Sequence, residues 1–211
     1  MPEITKNYKN LTILEKIFLF IRYITAPFAS LSKYLPKKGL ILDVGCGPGL
    51  LESYFTNKND KLFFIGIDPD RKKIKIASKL IFERARFVCG YLESFLTKLK
   101  FDCITLIDVE YLLNTQEKIG LLNQCTKLLN KDGMILLKTN DDNGSIGFKL
   151  GKLQEFFSLK IGITKSNNSI NFLTVEEYKS IFNQIGLKVV DEKRLHTRFF
   201  HTHYLFVLKR N

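Results

Sequence analysis

The stretch LILDVGCGPGL, residues 40–50, decides the fold. Its apolar run, Leu40 to Val44, reads as a buried strand. Three glycines then follow at alternate positions, Gly45, Gly47 and Gly49. Without a Cβ they let the backbone turn tightly and approach a ligand closely. In an open α/β sheet, ligands bind beyond the carboxyl ends of the strands, so this loop is the expected floor of the crevice. The dinucleotide pattern would need glycine or alanine where Leu50 stands. Asp43 is the sharper signal. A carboxylate two residues before the first glycine disfavours a pyrophosphate and favours a cation.

Working outward, short apolar runs alternate with amphipathic stretches. KLFFIGID (61–68), ARFVCG (85–90), FDCITLIDV (101–109) and MILLKT (134–139) read as further strands. LLESYF (50–55), PDRKKIKIASKLIF (69–82) and QEKIGLLNQCTKLLN (116–130) read as helices, the last ending before a KDG turn. This alternation predicts an α/β, Rossmann-like, doubly wound sheet with helices on both faces. The order then changes. A loop and a helical insertion over about 143–170 precede a helix that opens at Thr174. Glu177, three residues on, completes a capping box. Gly186 closes that helix, and LKVVDEKRL (187–195) and HYLFVLKR (203–210) follow as an antiparallel pair. Residues 1–39 read as a separate helical lid, and residues 40–211 as the main domain.

Composition narrows the function. The chain of 211 residues is 45% hydrophobic, enough for a sizeable core. No apolar run reaches the roughly 18 residues that span a bilayer. IFLFIRYITAPF is broken by Arg22 and Pro27, and no signal-peptide pattern opens the chain. Cys46, Cys89, Cys103 and Cys125 form no CxxC pair, so no metal site is expected and a reducing cytoplasm suits them. The formal charge of +12 suits nucleic acid, an anionic membrane surface or an acidic small molecule. A lysine-rich composition throughout is the simpler account. The basic, aromatic N-terminal segment leaves peripheral membrane contact open.

ILDVGCGPG, GIDPD and FDCITLIDVEYLL, in this order and spacing, resemble the class I S-adenosylmethionine-dependent methyltransferase family. The resemblance covers about Leu40 to Lys138 closely, and the closing helix and hairpin fit that family's seven-stranded sheet with its reversed last strand. S-adenosylmethionine carries an ammonium and a sulfonium and no phosphate, which explains an acid before the loop. The resemblance implies that Asp43, Gly45, Cys46, Gly47 and Gly49 hold the methionine part. It implies that Asp68, with Pro69 after it, holds the ribose. It places Asp108 and Val109 near the transferred methyl. One position departs from the family. Many relatives follow a glycine with an acid that contacts adenine, and here Gly90 precedes Tyr91. Tyr91 stacking with the Leu92 amide on a ring nitrogen, or Glu93 taking over, are the open readings.

The acceptor is less legible. Within the resemblance, DVEY (108–111) points to the branch that methylates small or lipid-like molecules. It lacks the D/N-P-P-Y/F tetrapeptide of base-amino methyltransferases. RNA methylation and a non-catalytic, methyltransferase-like binding subunit are the alternatives. Candidate catalytic groups are His201, between the last two strands, Tyr111 after the fourth strand, and Lys138 at the end of the fifth. Each has a bland counterpart: a surface turn, core packing and a solvated strand end, respectively.

Overall fold

The computed structural model describes residues 6–25, 28–140, 171–196 and 202–211. The N-terminal segment holds two helices, α1 (Ile13–Thr25) and α2 (Phe28–Leu31). Then come β1 (Gly39–Val44), α3 (Leu50–Thr56), β2 (Leu62–Asp68), α4 (Arg71–Ala77), β3 (Ala85–Cys89) and β4 (Phe101–Ile107). The chain continues through α5 (Thr115–Leu128), β5 (Leu129–Asn140), α6 (Val175–Gln184), β6 (Leu187–His196) and β7 (Thr202–Arg210). The strands form one seven-stranded sheet in the order β3-β2-β1-β4-β5-β7-β6. β1, β2 and β3 pair in parallel, while β7 runs antiparallel to both β5 and β6. This is the doubly wound sheet with a reversed last strand that the sequence predicts.

The central strands carry continuous apolar runs, as strands buried on both faces do. Ile41 and Leu42 of β1, Phe101, Cys103, Ile104 and Leu106 of β4, and Ile135, Leu136 and Leu137 of β5 are all fully buried. The chain divides into two compact units. One comprises Met1–Thr105 and Leu128–Gly133; the other comprises Leu106–Lys127 and Met134–Asn211. The glycine loop and the N-terminal helices belong to the first unit.

Two expectations need adjusting. The helix expected over 69–82 is only Arg71–Ala77, with Asp70 capping its start by accepting from the Lys72 amide at 2.8 Å. It stops early because Leu80 leaves the helical path and forms an antiparallel bridge with Tyr8. The KDG stretch is not a turn but part of β5. Asp102 anchors the start of that strand: it accepts from the Asn130 amide at 2.6 Å and from the Leu40 N–H at 2.8 Å. The later helix behaves as expected. Thr174 and Glu177 form the reciprocal capping box, and Gly186 takes the left-handed conformation at φ +73°. The insertion expected over about 143–170 and His201 lie outside the described residues. Among the described residues no helix is long and apolar enough to cross a membrane, and no cluster of His, Cys, Asp and Glu could hold a metal ion.

Candidate functional site

β1 and β2 end side by side, and their last residues build a candidate site in the first unit. Asp43 pairs with Gly66 and Val44 with Ile67 across the ladder. Asp43 is almost completely buried and accepts a 2.5 Å hydrogen bond from the Thr105 hydroxyl. Burial pushes its carboxyl up to about 7; the Thr105 hydrogen bond pulls the other way, and the nearby Asp68 adds to the rise. A buried carboxylate with this environment is poorly stabilised until a positive charge arrives.

The glycine loop turns away from β1 with Gly45, Gly47 and Gly49 at φ +75°, +56° and +79°. Its amides are already engaged. Gly45 and Cys46 donate to the Ile67 carbonyl at 2.7 and 3.1 Å, and Gly49 donates to the Cys46 carbonyl at 3.1 Å. Gly47 donates to Asp68 Oδ2 at 2.9 Å. A phosphate-binding loop presents its amides to the ligand, and this loop spends them on the protein. At Gly47 a Cβ would meet nothing within 4 Å, so the backbone there borders open space. Open backbone beside two acids fits a cationic group without phosphate, which is the chemistry S-adenosylmethionine presents.

Asp68 ends β2 and is buried, and its other oxygen accepts from the Asp70 N–H at 2.8 Å. It thereby ties the glycine loop to the start of α4. Pro69 is exposed beside it, and Gly90 donates to the Asp68 carbonyl at 3.1 Å. Tyr91 is 63% exposed, whereas Leu92 is buried at the start of a short 3-10 turn. An open aromatic face at this position suits stacking on a flat ring.

Sequence reasoning missed three residues here. Tyr8 is buried, and its hydroxyl donates to the carbonyls of Pro48 and Gly49, at 3.0 and 2.9 Å. Its neighbour Asn7 donates to the Ser53 carbonyl and hydroxyl on α3 at 3.0 and 2.9 Å, and accepts from the Asn57 amide at 2.8 Å. The same short segment reaches α4's end, where Ile81 donates to the Asn7 carbonyl and Lys9 donates to the Lys79 carbonyl. Residues 7–9 are thus a strap across both elements that carry the site. Nothing local in KNYKN marks this role, because it depends on contacts forty or more residues away. Glu52 is the third. It is fully buried on α3, and neither carboxylate oxygen has a hydrogen-bond partner among the described residues. Burial first, then Asp43, push it well above the usual carboxylate range. Gly66 makes room for it: a Cβ there would lie 2.6 Å from Glu52 Oε1 and 2.8 Å from Cys46 Sγ. Cys46 is buried as well. Burial and Glu52 hold its thiol well up, so it is a packing group rather than a nucleophile.

The second unit holds the residues after β4. Asp108 stands at φ +56°, an uncommon conformation for a residue with a side chain. The buried Lys138 ammonium forms a salt bridge to its carboxylate, and the Asp108 N–H donates to the Lys138 carbonyl at 3.3 Å. Lys138 is 1% exposed, so it is not a solvated strand end; its charge is committed to Asp108. Val109 follows, half-buried. Tyr111 is buried and stacked on Phe172 at 5.3 Å between ring centroids. Below it lies a polar network. The Thr139 hydroxyl donates to the Tyr178 hydroxyl at 2.9 Å, and Tyr178 donates to Glu110 Oε1 at 2.9 Å. Lys118, buried nearby, donates to the Asn171 carbonyl at 2.5 Å, and burial pushes it down to about 8. Burial also raises Glu110. His203 is buried near the start of β7, opposite Leu195 and Asn140.

With this geometry, the chain matches a methyltransferase-domain family over residues 15–192, and it belongs to that family. Among curated proteins it is 29% identical over 157 residues to a ubiquinone biosynthesis O-methyltransferase of Nitrobacter winogradskyi, covering 72% of this chain and 58% of that protein. It is 32% identical over 104 residues to a tRNA (carboxymethyluridine(34)-5-O)-methyltransferase of Xenopus tropicalis, covering 49% of this chain and 16% of that one. The chain therefore spans little more than half the length of the first and a small part of the second. Among solved structures it is similar to magnesium protoporphyrin IX methyltransferase from Synechocystis PCC 6803, solved with bound SAH. That match has a TM-score of 0.66 at 17% identity, over 95% of this chain and 89% of that one. The pyocyanin biosynthetic protein PhzM matches with a TM-score of 0.73 at 17% identity, over 100% of this chain and 62% of that one. At such identity the likeness to both structures is one of fold.

The strap gives a direct test. Tyr8→Phe removes the hydroxyl's hydrogen bond, which the two carbonyls share, and keeps the ring. It is expected to weaken binding of S-adenosylhomocysteine about tenfold and to cost about 1–1.5 kcal/mol of stability. Calorimetric titration and thermal unfolding read the two effects; an unchanged affinity would show that the strap only supports the fold.

Proposed function

We propose that this protein is an S-adenosylmethionine-dependent methyltransferase acting on a small, hydrophobic, hydroxyl-bearing acceptor. The observation that carries the reading is the buried Asp43 beneath a glycine loop whose amides are already used within the protein. That combination favours a cation and offers no phosphate cradle, which sets aside a nicotinamide dinucleotide. When bound, S-adenosylmethionine supplies a methyl group on a sulfonium, open to in-line displacement.

The chain's own part is to bind, orient and exclude water. Asp43 and the loop from Gly45 to Gly49 are assigned to the methionine part. Asp68 is assigned to the ribose hydroxyls, each of its oxygens keeping a lone pair beyond the hydrogen bond it already accepts. Tyr91 is assigned to the adenine face. Asp108, held by Lys138, and Val109 are assigned to the neighbourhood of the methyl group. A hydroxyl acceptor also needs a base to take its proton, and His201 is our candidate from its place in the sequence. Tyr111 and Lys138 are weaker candidates, the first being stacked in the core and the second paired with Asp108. The small-molecule acceptor is supported by the ubiquinone-pathway relatives and by DVEY after the fourth strand.

Titration with S-adenosylhomocysteine, with NADH as control, tests the cofactor class; binding of NADH alone would overturn it. Asp68→Ala is expected to weaken S-adenosylhomocysteine by about 1–3 kcal/mol, through loss of charge-assisted hydrogen bonds.

The affinity for S-adenosylmethionine also has a predicted pH dependence. The free protein carries Asp43 protonated below about pH 7, and a bound cation favours the carboxylate, so binding releases a proton at acid pH. Affinity is expected to rise by up to about tenfold per pH unit towards neutrality and then level off. Asp43→Asn should bind weakly with a flat profile, and a flat profile in the unaltered protein would remove Asp43 from the site.

With a phenolic acceptor found by screening, His201→Ala should lower turnover about a hundredfold near neutral pH and leave S-adenosylhomocysteine affinity unchanged. A normal rate would exclude His201 as the base.

A further inference from the structure

We propose that the outer face of α1 is a docking surface for an anionic phospholipid bilayer. It goes beyond methyl transfer and is assayed without turnover. On α1, Ile13 is 75% exposed, Leu14 79%, Ile17 49% and Phe20 43%. Ile13, Ile17 and Phe20 stand at i, i+4 and i+7, with Leu14 beside them, so the four share one side of the helix. Scattered exposed apolar residues are ordinary, but a continuous row on a single helix marks an interaction surface.

The helix is held in place by its other side. Leu19 is fully buried. Tyr23 stacks on Phe28 at 6.1 Å between centroids, and Phe28 stacks on Tyr54 of α3 at 5.4 Å. Glu15 and Thr12 form a reciprocal cap at the helix start, and Glu15 pairs with Lys79 at 2.7 Å. The apolar row is therefore presented outward by a fixed element.

Charge selects the occupant. Between Lys6 and Lys38 the chain carries seven cations, Lys6, Lys9, Lys16, Arg22, Lys33, Lys37 and Lys38, and one acid. That acid is Glu15, already paired with Lys79. All but Lys16 of the seven are exposed. Apolar side chains on one helical face within a strongly basic segment match a helix lying in the interface of an anionic membrane. A second copy is a poor occupant, because each chain carries +12 and the two basic segments would repel.

The chain has no tryptophan, so a single Ile17→Trp substitution provides a reporter without background. It is to be titrated with vesicles of phosphatidylcholine, with and without about 30% phosphatidylglycerol, at low and high salt. The expected result is a blue shift with the anionic vesicles, at least about tenfold weaker on pure phosphatidylcholine or in high salt. In the parent chain, Leu14→Ser with Phe20→Ser is expected to lower co-sedimentation with anionic vesicles about tenfold or more. Its thermal unfolding and S-adenosylhomocysteine affinity should stay unchanged, showing that the fold is intact. Absence of a blue shift, or co-sedimentation of the serine variant equal to the parent, would overturn the proposal. So would a dimer on size-exclusion chromatography that the serine variant dissociates, which would make the face a contact between copies.

Discussion

The burial of Asp43 is the constraint on which the first half of the molecule depends. Its carboxyl sits at the end of a strand that is apolar on both sides, with the Thr105 hydroxyl donating to it. Placing an acid there is unfavourable unless something positive is to be bound. Its surroundings add to that cost. Glu52 is fully buried close by, and Asp68 ends the adjacent strand. Asp68 adds to the rise of Asp43, and Asp43 adds to that of Glu52, so the site favours an incoming cation.

The loop around Asp43 is kept in shape by groups remote in sequence. Asp68 takes the Gly47 amide, and Tyr8 takes the carbonyls of Pro48 and Gly49. Both sides of the loop's backbone polarity are thereby satisfied from opposite directions. Residues 7–9 also join α3 to the end of α4, so this short part of the N-terminal segment is tied to the elements beside the glycine loop. The second unit uses a different device. Asp108 is held in a left-handed conformation by the buried Lys138, which supplies both an ion pair and a backbone carbonyl. An uncommon backbone conformation held by a committed buried charge is the kind of local cost found at functional positions.

Much of this is legible in the residues themselves. The apolar strand runs, the glycine spacing, the acids at the ends of β1 and β2, and the capping box at Thr174 depend on neighbours within a few positions. Local chemistry suffices to read them. Lys138 shows the limit. As a sequence position it reads as a cation at a strand end, free to meet an acceptor or water. Only the approach of Asp108 from thirty residues away commits its charge. The KDG stretch likewise carries a turn signal, yet it is drawn into β5.

The sequence alone determined the class of fold and the chemistry favoured at its first loop, because both follow from side-chain type and spacing along single elements. Tertiary structure decided which groups act together. It brought Tyr8 onto the loop carbonyls, buried Glu52 against Cys46, stacked Tyr111 on Phe172 and turned the apolar row of α1 outward. Those outcomes depend on how separate elements pack against one another, and that is set by the whole fold rather than by any local pattern.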